Sequence, residues 1–433
     1  MQHLRLHPHF DPLPPTSEIF YLKNLNEVSQ FRQDSWQWQA LHMGRCTTSQ
    51  AASAMGILEP LAARCMAVPR SLWKPGVHAY DRLKEGGKED KNGGSAALVD
   101  LEELNEVLFG IEEAEEETWG MEDIEFNDDE GGDEILYEST SKNGEIWYTY
   151  STKKISKQAN FAARYSPKYS NTMTKEEVET IKQRYEHATM QVRMYWGNTQ
   201  EATSILTALN YFYEKDPKIR VKEIGLCIGN EYLSTHQQRM LHGLQIGASP
   251  DAVLVHSDGS LEALEVKNHC PFVQNHPRGR RRKDVGNNNR SRRLPTFRIN
   301  QNEPYACVPA VYVPQLMLEM LCLGPKCRSA VMVRQTATKG AVVLRLHRDD
   351  EWINDMLELL GRFQTEYMQT NTPPPENFFW EDENEERRVK YRDFVSRTRK
   401  IGEEAELLDY IEHKKIQRQM PGKGIKHIPL FLD

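Results

Sequence analysis

Cysteine is scarce in this sequence and never set out as C-x-x-C. The seven cysteines, at 46, 65, 227, 270, 307, 322 and 327, are an odd number scattered over 433 residues. That pattern excludes a disulfide framework and gives no support to a structural zinc site, so they are expected to be reduced core residues. No apolar run reaches spanning length, and the mean hydropathy is -0.68, which argues against a membrane protein. The opening MQHLRLHPHFDPLPP has neither a basic start leading into an apolar stretch nor an Arg/Ser-rich amphipathic pattern. An intracellular protein is expected, its compartment left open. No internal repeat is visible.

Basic residues are also missing where they would be most noticed. Residues 101–135 hold 16 Asp and Glu and no Lys or Arg, and the net charge of -8 comes from them. The remainder has 55 basic residues against 47 acidic ones. It is therefore mildly basic, as suits a body that binds a polyanion.

With 39% hydrophobic and 9% aromatic residues there is enough apolar material for a sizeable core. Residues 20–73 read as an N-terminal helical part, with helical patterns over Glu27–Trp38 and Thr48–Met66, the second capped by Thr48 or Ser49. Residues 74–169 read as a low-complexity acidic insertion, partly disordered, because like charges at that density repel and few large apolar groups offset the ordering entropy. Within it GEIWYTYSTKKIS has the pattern of an isolated hairpin. Residues 170–370 read as the compact core, opening with one or two long helices after a Thr174/Glu177 capping box. Strands follow in VKEIGLCIG, AVLVH and LEALEVK, with Asp258-Gly259 as the turn between the last two. Further on, VYVPQLMLEMLCLG reads as a helix, SAVMVRQTATKGAVVLRLH as a second hairpin and Asp350–Tyr367 as a helix. Residues 371–433 read as a charged C-terminal tail, helical in patches.

The chemistry is concentrated in IGASPDAVLVHSDGSLEALEVKNHCPF, residues 246–272. Alternation along LEALEVK puts Glu265 and Lys267 on one face of a strand and Leu264 and Val266 on the other. The turn folds the chain back so that Asp251 comes beside Glu265. Two carboxylates then face one space, a donor set suited to Mg2+, with Mn2+ as a substitute. A divalent ion neutralises charge on a phosphodiester, and a neighbouring lysine stabilises the transition state. The residue types fit phosphodiester hydrolysis.

SPDAVLV and LEVKNHCPF resemble the core of the lambda-exonuclease-like, YqaJ-type viral recombinase family, within the PD-(D/E)xK nucleases. Three further segments are similar to that family and in its order: GRCTTSQAASAMG (44–56), YWGNTQEATSI (195–205) and VYVPQLMLEML (311–321). The resemblance covers a little under half the chain, Trp36–Gly56 and Arg193–Arg362. It implies an α/β restriction-endonuclease-like core, a mixed central sheet flanked by helices, carrying the acidic insertion and the charged tail. It implies that Asp251 and Glu265 bind metal, that Lys267 is the catalytic lysine, that Glu201 is a further acid at the metal and that Gln315 supports the lysine or the water. Ser49 matches the serine that contacts DNA phosphate, and its place at a helix start agrees with that. His42 stands where an arginine is expected, leaving Arg45 as the substitute. Ala252 replaces a glycine, and Asn268-His269 are inserted before Cys270-Pro271-Phe272. The extra acid some members carry before Asp251 is not assigned, Glu231 being the weak candidate. The scattered cysteines count against the iron-sulfur cluster that some related nucleases hold.

The implied activity is Mg2+-dependent digestion of double-stranded DNA from a free end in recombination or repair. A structure-specific or sequence-specific endonuclease and a DNA-binding scaffold without catalysis are the alternatives. Implied partners are DNA, further copies of the chain in a trimer, and a single-strand-annealing protein; no membrane is expected. The segment PRGRRRKDVGNNNRSRRLP follows the catalytic strand. Its Arg280, Arg281, Arg282 and Lys283, with Arg278, Arg290, Arg292 and Arg293, are expected to contact DNA by counterion release and without base specificity.

Overall fold

The computed structural model of the chain describes residues 2–14, 25–33, 35–86, 135–140, 146–151, 175–274, 297–299 and 303–419. In chain order the first strands are β1 (Phe10–Asp11), β2 (Arg45–Thr47), β3 (Ile135–Thr140), β4 (Ile146–Ser151), β5 (Arg220–Lys222), β6 (Cys227–Ile228) and β7 (Gln245–Ala248). Then come β8 (Ala252–Val255), β9 (Leu261–His269), β10 (Phe272–Gln274), β11 (Phe297–Ile299), β12 (Cys327–Thr336), β13 (Gly340–His347) and β14 (Glu406–Glu412). The central sheet has seven strands in the order β1-β5-β8-β9-β12-β13-β14, and smaller sheets run β10-β11-β4-β3 and β2-β7-β6. The central sheet is mixed: β9 runs parallel to β12 and antiparallel to β8.

Alternation along β9 and β12 divides two apolar cores. Leu264, Val266, Val331 and Val333 meet Ile205, Leu209 and Phe212 of the long helix Lys175–Lys215 on one face. Ala263, Ala330 and Met332 meet Leu316, Met317 and Met320 of the helix Val313–Cys322 on the other. β9 is thus covered on both faces, and Glu262 and Glu265 are buried among its apolar residues, which charged side chains rarely are unless paired. The turn between β8 and β9 forms where Asp258-Gly259 place it, with Gly259 at φ +82, a conformation glycine takes without penalty. The hairpin of β12 and β13 also forms as read, and the helix read over Asp350–Tyr367 is an α-helix over Asp350–Phe363 followed by a π-helical turn over Gln364–Met368.

Several expectations are refined by packing. The pattern over Thr48–Met66 is two helices, Thr48–Ala54 and Pro60–Cys65, because Gly56 takes φ +70 and Pro60 starts rather than continues a helix. The cap of the first is Thr47, whose amide donates to Gln50 Oε1 at 2.9 Å. The Glu27–Trp38 pattern likewise divides into a 3-10 turn, Leu25–Gln30, and a helix, Trp36–His42. The hairpin β3-β4 is not isolated, since β4 pairs with β11 and β11 with β10. The helix Gly76–Gly86 lies within the span read as insertion; residues 101–134 and Thr174 fall outside the described residues.

The C-terminal stretch is part of the body. Helix Glu385–Glu403 buries Tyr391, Phe394, Val395 and Thr398, with Phe394 stacked 4.9 Å from Trp352, and β14 pairs with β13. A narrow apolar stripe among many charges carries that docking, which overall polarity conceals. Among the described residues no helix is long and apolar enough to cross a membrane, and all seven cysteines are free.

Candidate functional site

The register of β8 on β9 pairs Ala252 with Leu264, and one step further sets Asp251 opposite Glu265. The Asp251 Oδ2 accepts from the Val266 amide at 2.7 Å, which fixes this carboxylate at the strand between Glu265 and Lys267. Lys267 Nζ donates to Glu265 Oε1, as two side chains on one face of a strand are placed to do. The hairpin therefore brings together the three residues read from the sequence.

Two helices complete the cluster. Glu201, on the long helix, lies close enough to Glu265 and Lys267 to act electrostatically on both, and burial followed by Glu265 pushes its carboxyl up. Trp196 meets Phe272 edge-on at 5.6 Å, so the W-G-x-x-x-E segment is docked on β10, the strand that follows the one bearing Glu265 and Lys267. On the opposite face Gln315 donates to Glu319 Oε1 at 2.9 Å. Glu319 is 0% exposed, and burial, then Glu265, holds its carboxyl well above the ordinary range. The same two causes raise Asp251. Burial pulls Lys267 down, but Glu265 and Asp251 outweigh it and the ammonium is held above its ordinary value.

Asp251, Glu201, Glu265 and Glu319 are thus four carboxyls around one ammonium. Buried like charges repel and lose hydration, so such a cluster holds its acids ionised only with added positive charge. Glu265 is 2% exposed, and its Oε2, like that of Glu319, is buried without a hydrogen-bond partner among the described residues. Orphaned carboxylate oxygens facing a common acidic cluster fit a hard divalent cation in donor type. Among the described residues no group of three or more His, Cys, Asp or Glu side chains is placed to hold a metal ion. Lys267, with 31% of its side chain exposed, opens the cluster to solvent.

Comparison with protein-family models, with curated proteins and with solved structures finds no match.

The N-terminal segment borders this site. Trp38 Nε1 donates to Ser249 Oγ at 3.0 Å and Gln33 Nε2 to the Pro250 carbonyl at 3.1 Å, holding the loop that delivers Asp251. Ser49 is exposed on the first turn of its helix, 3.2 Å from Thr47 Oγ1. Arg45 differs from its expected place as a DNA contact: it is 1% exposed, it donates to the Leu41 carbonyl at 2.6 Å, and burial pulls its guanidinium down to about 10. Strand β2 is paired with β7 and covered by helices, so its first side chain is directed inward. His42 packs 3.8 Å from Trp38 and contacts the Trp38 carbonyl. Burial raises Glu231, which acts on Tyr232 and Cys227. Arg280, Arg281, Arg282 and Lys283 lie outside the described residues.

Sequence reasoning missed Glu319. Its signal was a single acid in the apolar run VPQLMLEML, four residues after Gln315 and hence on the same side of the helix.

Proposed function

We propose that the chain is a metal-dependent deoxyribonuclease with a restriction-endonuclease-like core, trimming double-stranded DNA from its ends in recombination or repair. The carrying observation is that Asp251, Glu265 and Lys267 come together at one hairpin, with a buried Glu265 oxygen that has no hydrogen-bond partner among the described residues. Support also comes from the four family-like segments: the N-terminal one pairs through Arg45–Thr47 with the strand Gln245–Ala248 that leads to Asp251, and the helices bearing Glu201 and Gln315 flank the strand of Glu265 and Lys267. When bound, Mg2+ or Mn2+ supplies charge neutralisation at the scissile phosphate.

The protein's own groups divide the remaining work. Asp251, Glu265 and Glu201 would hold the cation, and Gln315 fixes Glu319 beside them. Lys267 is held as an ammonium, so its part is to donate to a phosphate oxygen and stabilise developing negative charge. Ser49 and the cluster Arg280, Arg281, Arg282 and Lys283 contact the DNA backbone, which positions duplex without reading its sequence. A trimer of the chain and a single-strand-annealing partner belong to the same reading.

The test is end-labelled linear duplex beside covalently closed duplex in Mg2+, with wild type and Lys267→Ala. Wild type degrades the linear substrate only, and Lys267→Ala binds DNA without cutting it. Equal cutting by both proteins overturns the assignment of Lys267, and cutting of closed duplex transfers the protein to the endonucleases.

A further inference from the structure

A row of cations and aromatic rings leads from Lys267 to the surface. β9 and β12 are parallel with Lys267 opposite Arg334, so the two side chains leave adjacent strands on the same face. Tyr312 stands by both: its ring centre is 5.1 Å from the Lys267 ammonium, and it acts electrostatically on both cations. Next in the row, the Arg334 guanidinium lies 5.1 Å from the ring centre of Tyr305.

Two features of this outer pair are not explained by folding. Arg334 makes hydrogen bonds only to backbone carbonyls, Cys307 at 3.0 Å and Tyr305 at 3.5 Å, and no carboxylate pairs with it among the described residues. Tyr305 is 60% exposed, so a large ring faces water while its other side rests by a cation. The nearby Glu303 is engaged elsewhere, by Lys339 at 3.5 Å and the Tyr410 hydroxyl at 3.0 Å. A second guanidinium, that of the exposed Arg193, joins Arg334 in acting on His269 at the end of β9. The rim beside the acid cluster is therefore cationic and aromatic.

Paired bases inside a duplex are stacked on each other and offer no free face to a side chain. Unpaired bases do, and an exposed aromatic ring with a neighbouring guanidinium is the common means of holding them. We propose that Tyr305 and Arg334 form a shelf for an unpaired nucleotide beside the reaction centre, Tyr305 stacking on its base and Arg334 contacting its phosphate. The preferred substrate is then a DNA end that carries a single-stranded tail. This rests on the nuclease reading for the position of the strand, but its test does not require cutting.

The experiment is fluorescence anisotropy of the full chain in Ca2+, with labelled blunt duplex and the same duplex bearing a 5' or a 3' single-stranded tail. Tyr305→Ala lowers affinity for a tailed duplex roughly fivefold or more, leaves the blunt duplex unchanged, and Tyr305→Phe restores tail binding because the ring is kept. Arg334→Gln lowers the salt slope on tailed DNA by about 0.7. Equal binding of tailed duplex by Tyr305→Ala and wild type overturns the proposal, as does an equal loss on blunt and tailed DNA. Cutting in Mg2+ is scored separately. Tail preference that depends on Tyr305 without any cutting sinks the nuclease reading and leaves the shelf; cutting without that dependence does the reverse.

Discussion

Glu262 and Glu265 stand three apart in one strand and have opposite surroundings. Glu265 shares a cluster with three other acids and one lysine, and one of its oxygens has no hydrogen-bond partner among the described residues. Glu262 is fully satisfied by Ser329, Arg345 and His256. One is held by its neighbours and the other is left short of positive charge, which is why the chemistry is assigned to the second. Glu319 belongs with Glu265: its Oε1 is held by Gln315 and its Oε2 is free of partners among the described residues. Glu319→Gln keeps the shape and removes the charge. It is expected to raise the Mg2+ concentration for half-maximal cutting by about 10–100-fold, measured by titrating Mg2+ with linear duplex. An unchanged Mg2+ requirement would show that Glu319 is only a packing residue. The E-x-K spacing was legible in the sequence because a period of two is local. Glu319 was not, because its nearness to Glu265 depends on a helix crossing a sheet.

The strands are tied at their other end by the Glu262 network. Glu262 on β9 accepts from Ser329 of β12 at 2.6 Å, from Arg345 of β13 at 2.7 Å and from His256 beside the hairpin turn at 2.7 Å. Burial pushes its carboxyl up, but these hydrogen bonds and Arg345 outweigh it and bring it down to about 2 from 4.5. A carboxyl lowered on folding stabilises the native state above its unfolded value and loses that contribution as pH falls towards its folded one. Glu262→Gln is therefore expected to destabilise the protein by about 3 kcal/mol at neutral pH, with a deficit that narrows from pH 4.5 towards about 2. Urea unfolding of both proteins across that range checks it; a deficit independent of pH would count against an ionised Glu262. At this level the hairpin of β8 and β9 and that of β12 and β13 were readable, since alternation and a turn glycine are neighbours in sequence. The parallel pairing of β9 with β12, and the merging of β4 with β11, join residues too far apart for any local pattern to announce.

Charge has to be read over the full chain, because the acidic stretch 101–135 masks an otherwise basic protein. If the segment after β10 follows DNA, binding is strongly salt-dependent. Replacing Arg280, Arg281, Arg282 and Lys283 with alanine is expected to reduce the slope of log affinity against log salt by about 3–4. An unchanged slope in anisotropy titrations would remove that segment from the DNA contacts. Composition, the alternating strands, the turn at Gly259 and the acid-lysine pair were all decided by the order of residues, because each follows from contacts a few positions apart. The inward burial of Arg45, the fourth acid at Glu319, the docking of Glu385–Glu403 against Trp352 and the row from Lys267 to Tyr305 were decided by folding. Each depends on elements separated by tens or hundreds of residues, whose meeting is governed by how two apolar faces of one sheet are covered.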